Sequence, residues 1–274
     1  MLNSKGTYIF RFSEIQMLRQ ISVLFAFLLC LTAQGQSPEF IPLNEHFYEL
    51  PPEQIQNKKY QKMISITSDS IQIERFFTLE NKLIRVVRMD LKKNEYQEFT
   101  MEEFDLDGNL THQRTANLFN SKFIASYFEK GELVGQIFYR GEHKYTIYRK
   151  GYEKPLEMLE NDFEPYPKDE KARFMDVVSQ KTGIPYNKWP KDRQLVIVGV
   201  KVDLEGNVKT IEWVNPSGAS PEIAEVFVKA VASWKKGYVP AKDFWGNPVE
   251  KWRYFHFHAG GKLPSGPMEV KFSR

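Results

Sequence analysis

The spacing of apolar residues changes three times along the chain, and each regime predicts a different structure. From Ile21 to Leu31 nearly every residue is apolar, with neither strand alternation nor a helical return. From Met63 to about Tyr152, apolar and polar residues alternate in short runs broken by Gly, Asn and Asp. That pattern predicts antiparallel strands joined by tight turns. Beyond Lys168 the period lengthens. Phe174, Val177 and Val178 share one helical face, so a helix is predicted over 168–181, stopped by Gly183 and Pro185. Leu195 to Asp203 is a β-branched run too short for a buried helix, and Gly206 turns it back into a second strand over 208–214. Ser220 can cap a helix with Pro221 at its first position, whose apolar face carries Ile223, Phe227, Ala230, Val231 and Trp234. A turn at Gly246 leads to a last strand over 250–258. The C-terminal order is therefore helix, strand, strand, helix, strand.

Three segments of the alternating region share one spacing. Phe77, Asn81 and Leu83 are matched by Phe104, Gly108 and Leu110, and by Tyr127, Gly131 and Leu133. Gly or Asn supplies a positive φ at a hairpin turn, and the flanking aromatic and Leu can meet across paired strands. The unit resembles the short repeats of MORN-type and YwqK-like antitoxin proteins; ordinary hairpins of a small sheet account for it equally well. Pro38, Pro42, Pro51 and Pro52 mark residues 36–60 as a loose lead-in or an irregular edge. The acidic, Pro-bearing stretch 153–168 looks like a linker or crossing segment. These marks divide the chain into a leader (1–35), a β-rich domain (36–165) and a C-terminal domain with a tail (166–274). The fold class expected is α+β: an antiparallel hairpin meander followed by a small helix–strand domain.

The apolar run at 21–31 follows Arg19 and precedes Ala33 and Gly35, the arrangement of a cleavable secretory signal, with cleavage expected before Gln36. A spanning helix needs about 20 apolar residues. Met17 stands where such a leader would start. The single cysteine, Cys30, would leave with it, which suits an oxidising compartment. Lys5, Arg11 and Arg19 also account for most of the net charge of +3. The mature chain is then near neutral, with no field to hold nucleic acid or an anionic membrane.

A recognisable order of motifs runs through residues 185–260. It comprises Val200-Lys-Val-Asp-Leu-Glu-Gly-Asn-Val208, Ser217-Gly218, the helix-face residues Ala224, Ala230 and Trp234, Val239-Pro-Ala241, Gly246-Asn-Pro-Val249 and Phe255-His-Phe257. This text resembles the C-terminal domain of the energy transducer TonB. The resemblance implies a domain that binds an extended peptide of an outer-membrane receptor beside its sheet edge. The candidate edge is the last strand, with Trp252, Tyr254, His256 and His258 on one face. The long Pro-rich spacer of a full transducer is missing from the sequence and the apolar run is short, so a periplasmic adaptor is the first expectation. A transducer anchored by an uncleaved leader is the second. Partners expected are a protein or peptide; a homodimer is compatible with the sequence.

No sequence motif carries catalysis. Ser217-Gly218 is not within a G-x-S-x-G elbow, and no P-loop or dinucleotide fingerprint is present. Asp105 and Asp107 sit at a hairpin tip without the further oxygens of a Ca²⁺ loop. His256 and His258 could chelate as a pair, but spacing supplies no third ligand; His46, His112 and His143 are scattered. The expectation is a binding protein with no catalytic residues, no metal and no cofactor. A hydrolase assembled from scattered residues is the remaining alternative.

Overall fold

The computed structural model describes residues 39–92, 97–169, 171–184 and 189–261. The expected leader, with Met17, Cys30 and the cleavage point before Gln36, lies outside them. Phe40 onward belongs to one compact unit.

Ten strands form a single antiparallel sheet in chain order. They are β1 (Ile41–Leu43), β2 (Tyr60–Ile66), β3 (Ile71–Thr78), β4 (Leu83–Asp90), β5 (Glu98–Phe104), β6 (Leu110–Asn117), β7 (Phe123–Glu129), β8 (Glu132–Tyr139), β9 (Tyr145–Arg149) and β10 (Leu156–Met158). Phe77 pairs with Leu83 and Phe104 with Leu110, around turns in which Asn81 and Gly108 take positive φ. The third repeat closes one residue out of step: Phe128, not Tyr127, pairs with Leu133.

The expected α+β class is corrected by this sheet. The structure is mostly β, 46% strand against 13% helix. The small helix–strand portion is the lesser part of a chain dominated by the meander. Two stretches read as lead-in and linker add to the strand content. Pro42 lies in β1, at the sheet edge, where a missing N–H leaves no ladder bond unmade. Pro51 and Pro52 begin a short 3-10 helix over Pro52–Asn57. Leu156–Met158 pairs with β9 and closes the other edge.

The remaining elements are β11 (Tyr166–Pro167), α1 (Lys171–Lys181), β12 (Gln194–Val202), β13 (Val208–Trp213), α2 (Pro221–Ala232), β14 (Tyr238–Val239), β15 (Ala241–Lys242), β16 (Pro248–Val249) and β17 (Lys251–Ala259). β12 is the centre of a three-stranded sheet in the order β13-β12-β17. Val196, Val198, Val200 and Val202 of β12 and Phe255 and Phe257 of β17 pack with Phe174 and Val178 of α1. Ile223, Phe227 and Val231 of α2 complete this core. Ser220 caps α2, its hydroxyl accepting from the Ile223 N–H.

A row of residues in register crosses the meander: Lys62, Phe76, Arg85, Glu103, His112, Tyr127, Gly135 and Arg149. Residues directly opposite one another share a face. Arg85 bonds Glu103, Glu103 accepts from His112 Nδ1 at 2.8 Å, and the His112 ring stacks on Tyr127 at 4.6 Å. Tyr127 in turn stacks on Phe163 at 4.9 Å. Gly135 leaves the room that Phe163 and Phe244 fill, for a Cβ there would lie 3.2 Å from each ring. Beside it Arg149 meets Asp162 at 2.8 Å, both side chains 1% exposed. Packing therefore continues across the expected boundary near 165.

Candidate functional site

The face of the three-stranded sheet opposite the helices carries a second register row. Glu212 of β13, Gly199 of β12 and Tyr254 of β17 lie side by side. Gly199 has no room for a side chain, because a Cβ would come 2.8 Å from Val214 and 3.3 Å from Trp252. His46, from the loop after β1, joins the two side chains that flank it. Its Nδ1 lies 3.1 Å from Tyr254 Oη and its Nε2 2.7 Å from Glu212 Oε1. The His46 side chain is only 5% exposed, against 39% for Glu212. Trp252 meets the imidazole edge-on at 4.7 Å.

Local chemistry holds this histidine in place. The Asn44 carboxamide oxygen accepts the N–H groups of His46 and Tyr48, each at 3.0 Å, and so closes an Asx turn. Its amide nitrogen donates to the Val214 carbonyl at 2.7 Å. The Ser217 hydroxyl donates to the Glu49 carbonyl at 3.0 Å. Burial raises the Tyr254 hydroxyl well above the usual tyrosine range, with the neighbouring Tyr48 adding to the effect, so it stays neutral. Burial likewise pushes Tyr48 up to about 12, against the opposing charge of Arg85. Beside the histidine is a cleft of about 410 Å³, lined by Glu45, His46, Gln54, Lys59, Glu212 and Trp213 among others.

The sheet has two edges. Ile197 directs its N–H to the Asn215 side chain and its carbonyl to the Val214 N–H, both on the β13 side. By alternation, Gly199 and Lys201 also bond toward β13, and the even residues of β12 bond toward β17. The backbone groups of Ile211 and Trp213 then face away from the sheet on one side. Those of Trp252, Tyr254, His256 and His258 face away on the other. β13 is exposed over Val208–Thr210 and half-buried over Ile211–Trp213. β17 is tied at its start to a neighbouring segment: Lys251 Nζ donates to the Phe163 carbonyl at 2.9 Å, and Arg253 pairs with Glu164.

Of the four residues expected to mark the binding strand, Trp252 and Tyr254 lie against His46. His256 is opposite Ile197 in register, and His258 Nδ1 lies 3.3 Å from Arg193 Nε. Among the described residues, one group of three or more side chains brings metal-ligating atoms together, and it contains neither His256 nor His258. It is Glu45, His46 and Glu212, whose ligand atoms all lie within 4.8 Å of one another. Sequence reasoning left His46 among the scattered histidines. A separation of 166 residues from Glu212 leaves no local spacing to detect. Asn44-Glu-His46 carries an Asx-turn signal, but nothing in it names the partner strand. The chain matches no protein-family model, no curated protein and no solved structure.

Proposed function

We propose that this chain is an exported cell-envelope binding protein that takes up an extended partner segment as an added strand of its three-stranded sheet. The observation that carries the proposal is β13, an edge strand exposed over Val208–Thr210, whose Ile211 and Trp213 backbone groups point away from β12. A peptide laid there gains hydrogen bonds from that backbone, and its alternate side chains supply selectivity. β17 is the second edge, but its Lys251 and Arg253 already hold the segment at Phe163 and Glu164, which favours β13. The leader over 17–35 supports export. The resemblance of residues 185–260 to the TonB C-terminal domain supports an outer-membrane receptor as the partner. The activity is binding, without a chemical step.

Fluorescence anisotropy with extended peptides from the periplasm-facing segments of outer-membrane receptors tests this. Ile211→Pro removes an outward N–H while leaving the ladder bonds of Thr210 and Glu212 to β12, and affinity is expected to fall about tenfold or more. Tyr254→Pro does the same on β17. Loss in the second variant alone moves the site to β17, and failure of every peptide to bind the unaltered chain rejects strand addition. Fractionation and N-terminal sequencing separate a periplasmic adaptor beginning at Gln36 from a full-length, membrane-integral transducer.

A further inference from the structure

We propose that Glu45, His46 and Glu212 form a binding site for a divalent transition-metal ion, zinc by the chemistry of its ligands. One imidazole and two carboxylates make a mixed nitrogen–oxygen set that suits Zn²⁺ better than the all-oxygen shells of Ca²⁺ or Mg²⁺. The three donor atoms already lie within 4.8 Å of one another. Zinc–ligand bonds of about 2.0–2.2 Å place tetrahedral neighbours about 3.3–3.6 Å apart. The present 2.7 Å between His46 Nε2 and Glu212 Oε1 must therefore open by about 0.6–0.9 Å. Glu212 can yield that distance, being 39% exposed and hydrogen-bonded among the described residues to His46 alone.

A simple His46–Glu212 ion pair does not account for the third group. Glu45 turns a second carboxylate toward the same point, yet makes no ion pair with any cation among the described residues. Lys59 lines the cleft as well but pairs with neither carboxylate. A divalent cation would neutralise the two converging charges. The ligating nitrogen would be Nε2, which requires the ring proton on Nδ1. Tyr254 allows this: its hydroxyl can donate to a bare Nδ1 or accept from a protonated one, so the hydrogen bond at 3.1 Å survives either tautomer. Outer partners of this kind orient metal-bound histidines. The cleft of about 410 Å³ leaves the fourth coordination position open to water or to a small ligand. Two ligands come from the loop after β1 and the third from β13, so the metal would clamp the N-terminal segment to the sheet face opposite the helices.

Isothermal titration of the purified full chain with zinc chloride alone, at neutral pH, tests the assignment. One ion per chain is expected, together with a rise in melting temperature on adding zinc. Glu45→Gln is the decisive variant, since its side chain is exposed and makes no hydrogen bond or ion pair among the described residues. It should retain the metal-free melting temperature and weaken zinc binding about tenfold or more. His46→Gln should abolish binding, and His256→Gln together with His258→Gln should leave it unchanged. The proposal is overturned if the unaltered chain takes up no zinc at millimolar concentration. It is equally overturned if zinc affinity survives in Glu45→Gln and His46→Gln, or if Mg²⁺ competes on equal terms, which would remove the imidazole from the coordination.

Discussion

Glu103 shows how single side chains set the pH response. Burial alone would push its carboxyl up, but the hydrogen bond from His112 and the charge of Arg85 outweigh burial and hold it at about 2, from an ordinary 4.5. The carboxyl is thus more acidic folded than unfolded, and as pH falls the unfolded chain takes up the proton first. The stability it contributes is full above 4.5 and is lost as pH drops through about 2. Urea unfolding across that window should show Glu103→Gln with a shallower acid dependence than the unaltered chain; identical slopes would show that the carboxyl contributes nothing there. Arg149 and Asp162 are a deeper pair, and removing one leaves the other as a buried charge. Asp162→Ala is expected to cost about 3–5 kcal/mol in the same measurement. A loss below 1 kcal/mol would mean that water reaches Arg149. Neither pair was visible in the sequence. Arg149 and Asp162 both stand in runs of ordinary charged residues, and burial is decided by what packs over them.

At the scale of elements, the β12–β13 hairpin shows a turn with a second duty. Gly206 has φ +87°, and a Cβ there would lie 2.0 Å from the Tyr238 carbonyl oxygen. The Gly206 carbonyl also accepts the Tyr238 N–H at 3.0 Å, so the turn sits against the segment that follows α2. Gly206→Ala should destabilise by about 2–4 kcal/mol, combining φ strain with overpacking. A loss of only a few tenths in thermal unfolding would show that the two segments separate easily. The turn itself was legible, because Asp203-Leu-Glu-Gly206-Asn puts Gly where positive φ is needed. So were β12 over Gln194–Val202 and the Ser220 cap of α2, whose signals are local. β1 and β10 are not legible as strands. Three residues carry too little periodicity to read, and each is strand only because a longer neighbour offers it a ladder.

For the whole molecule, the meander and the C-terminal elements share one compact unit from Phe40 onward. All five tryptophans lie between Trp189 and Trp252, so their fluorescence reports the C-terminal part, whereas far-UV circular dichroism is dominated by the meander. The two signals are expected to change at one urea midpoint, as cooperative unfolding requires. Two separate midpoints would show that the halves unfold independently despite the Tyr127–Phe244 ring contact and the Arg253–Glu164 pair.

Residue periodicity alone was enough to place most strands, both helices and the hairpin glycines, because each depends on neighbours within a few positions. The balance of the fold was not contained in it. That the chain is mostly β follows from the ten-stranded meander, which outweighs the smaller helical part and recruits short segments at its rims. The meeting of His46 with Glu212 and Tyr254 was settled only by tertiary structure. It rests on a glycine in the central strand, an Asx turn in the loop after β1, and a register that aligns residues from opposite ends of the chain, and contacts at such separation leave no trace in local spacing.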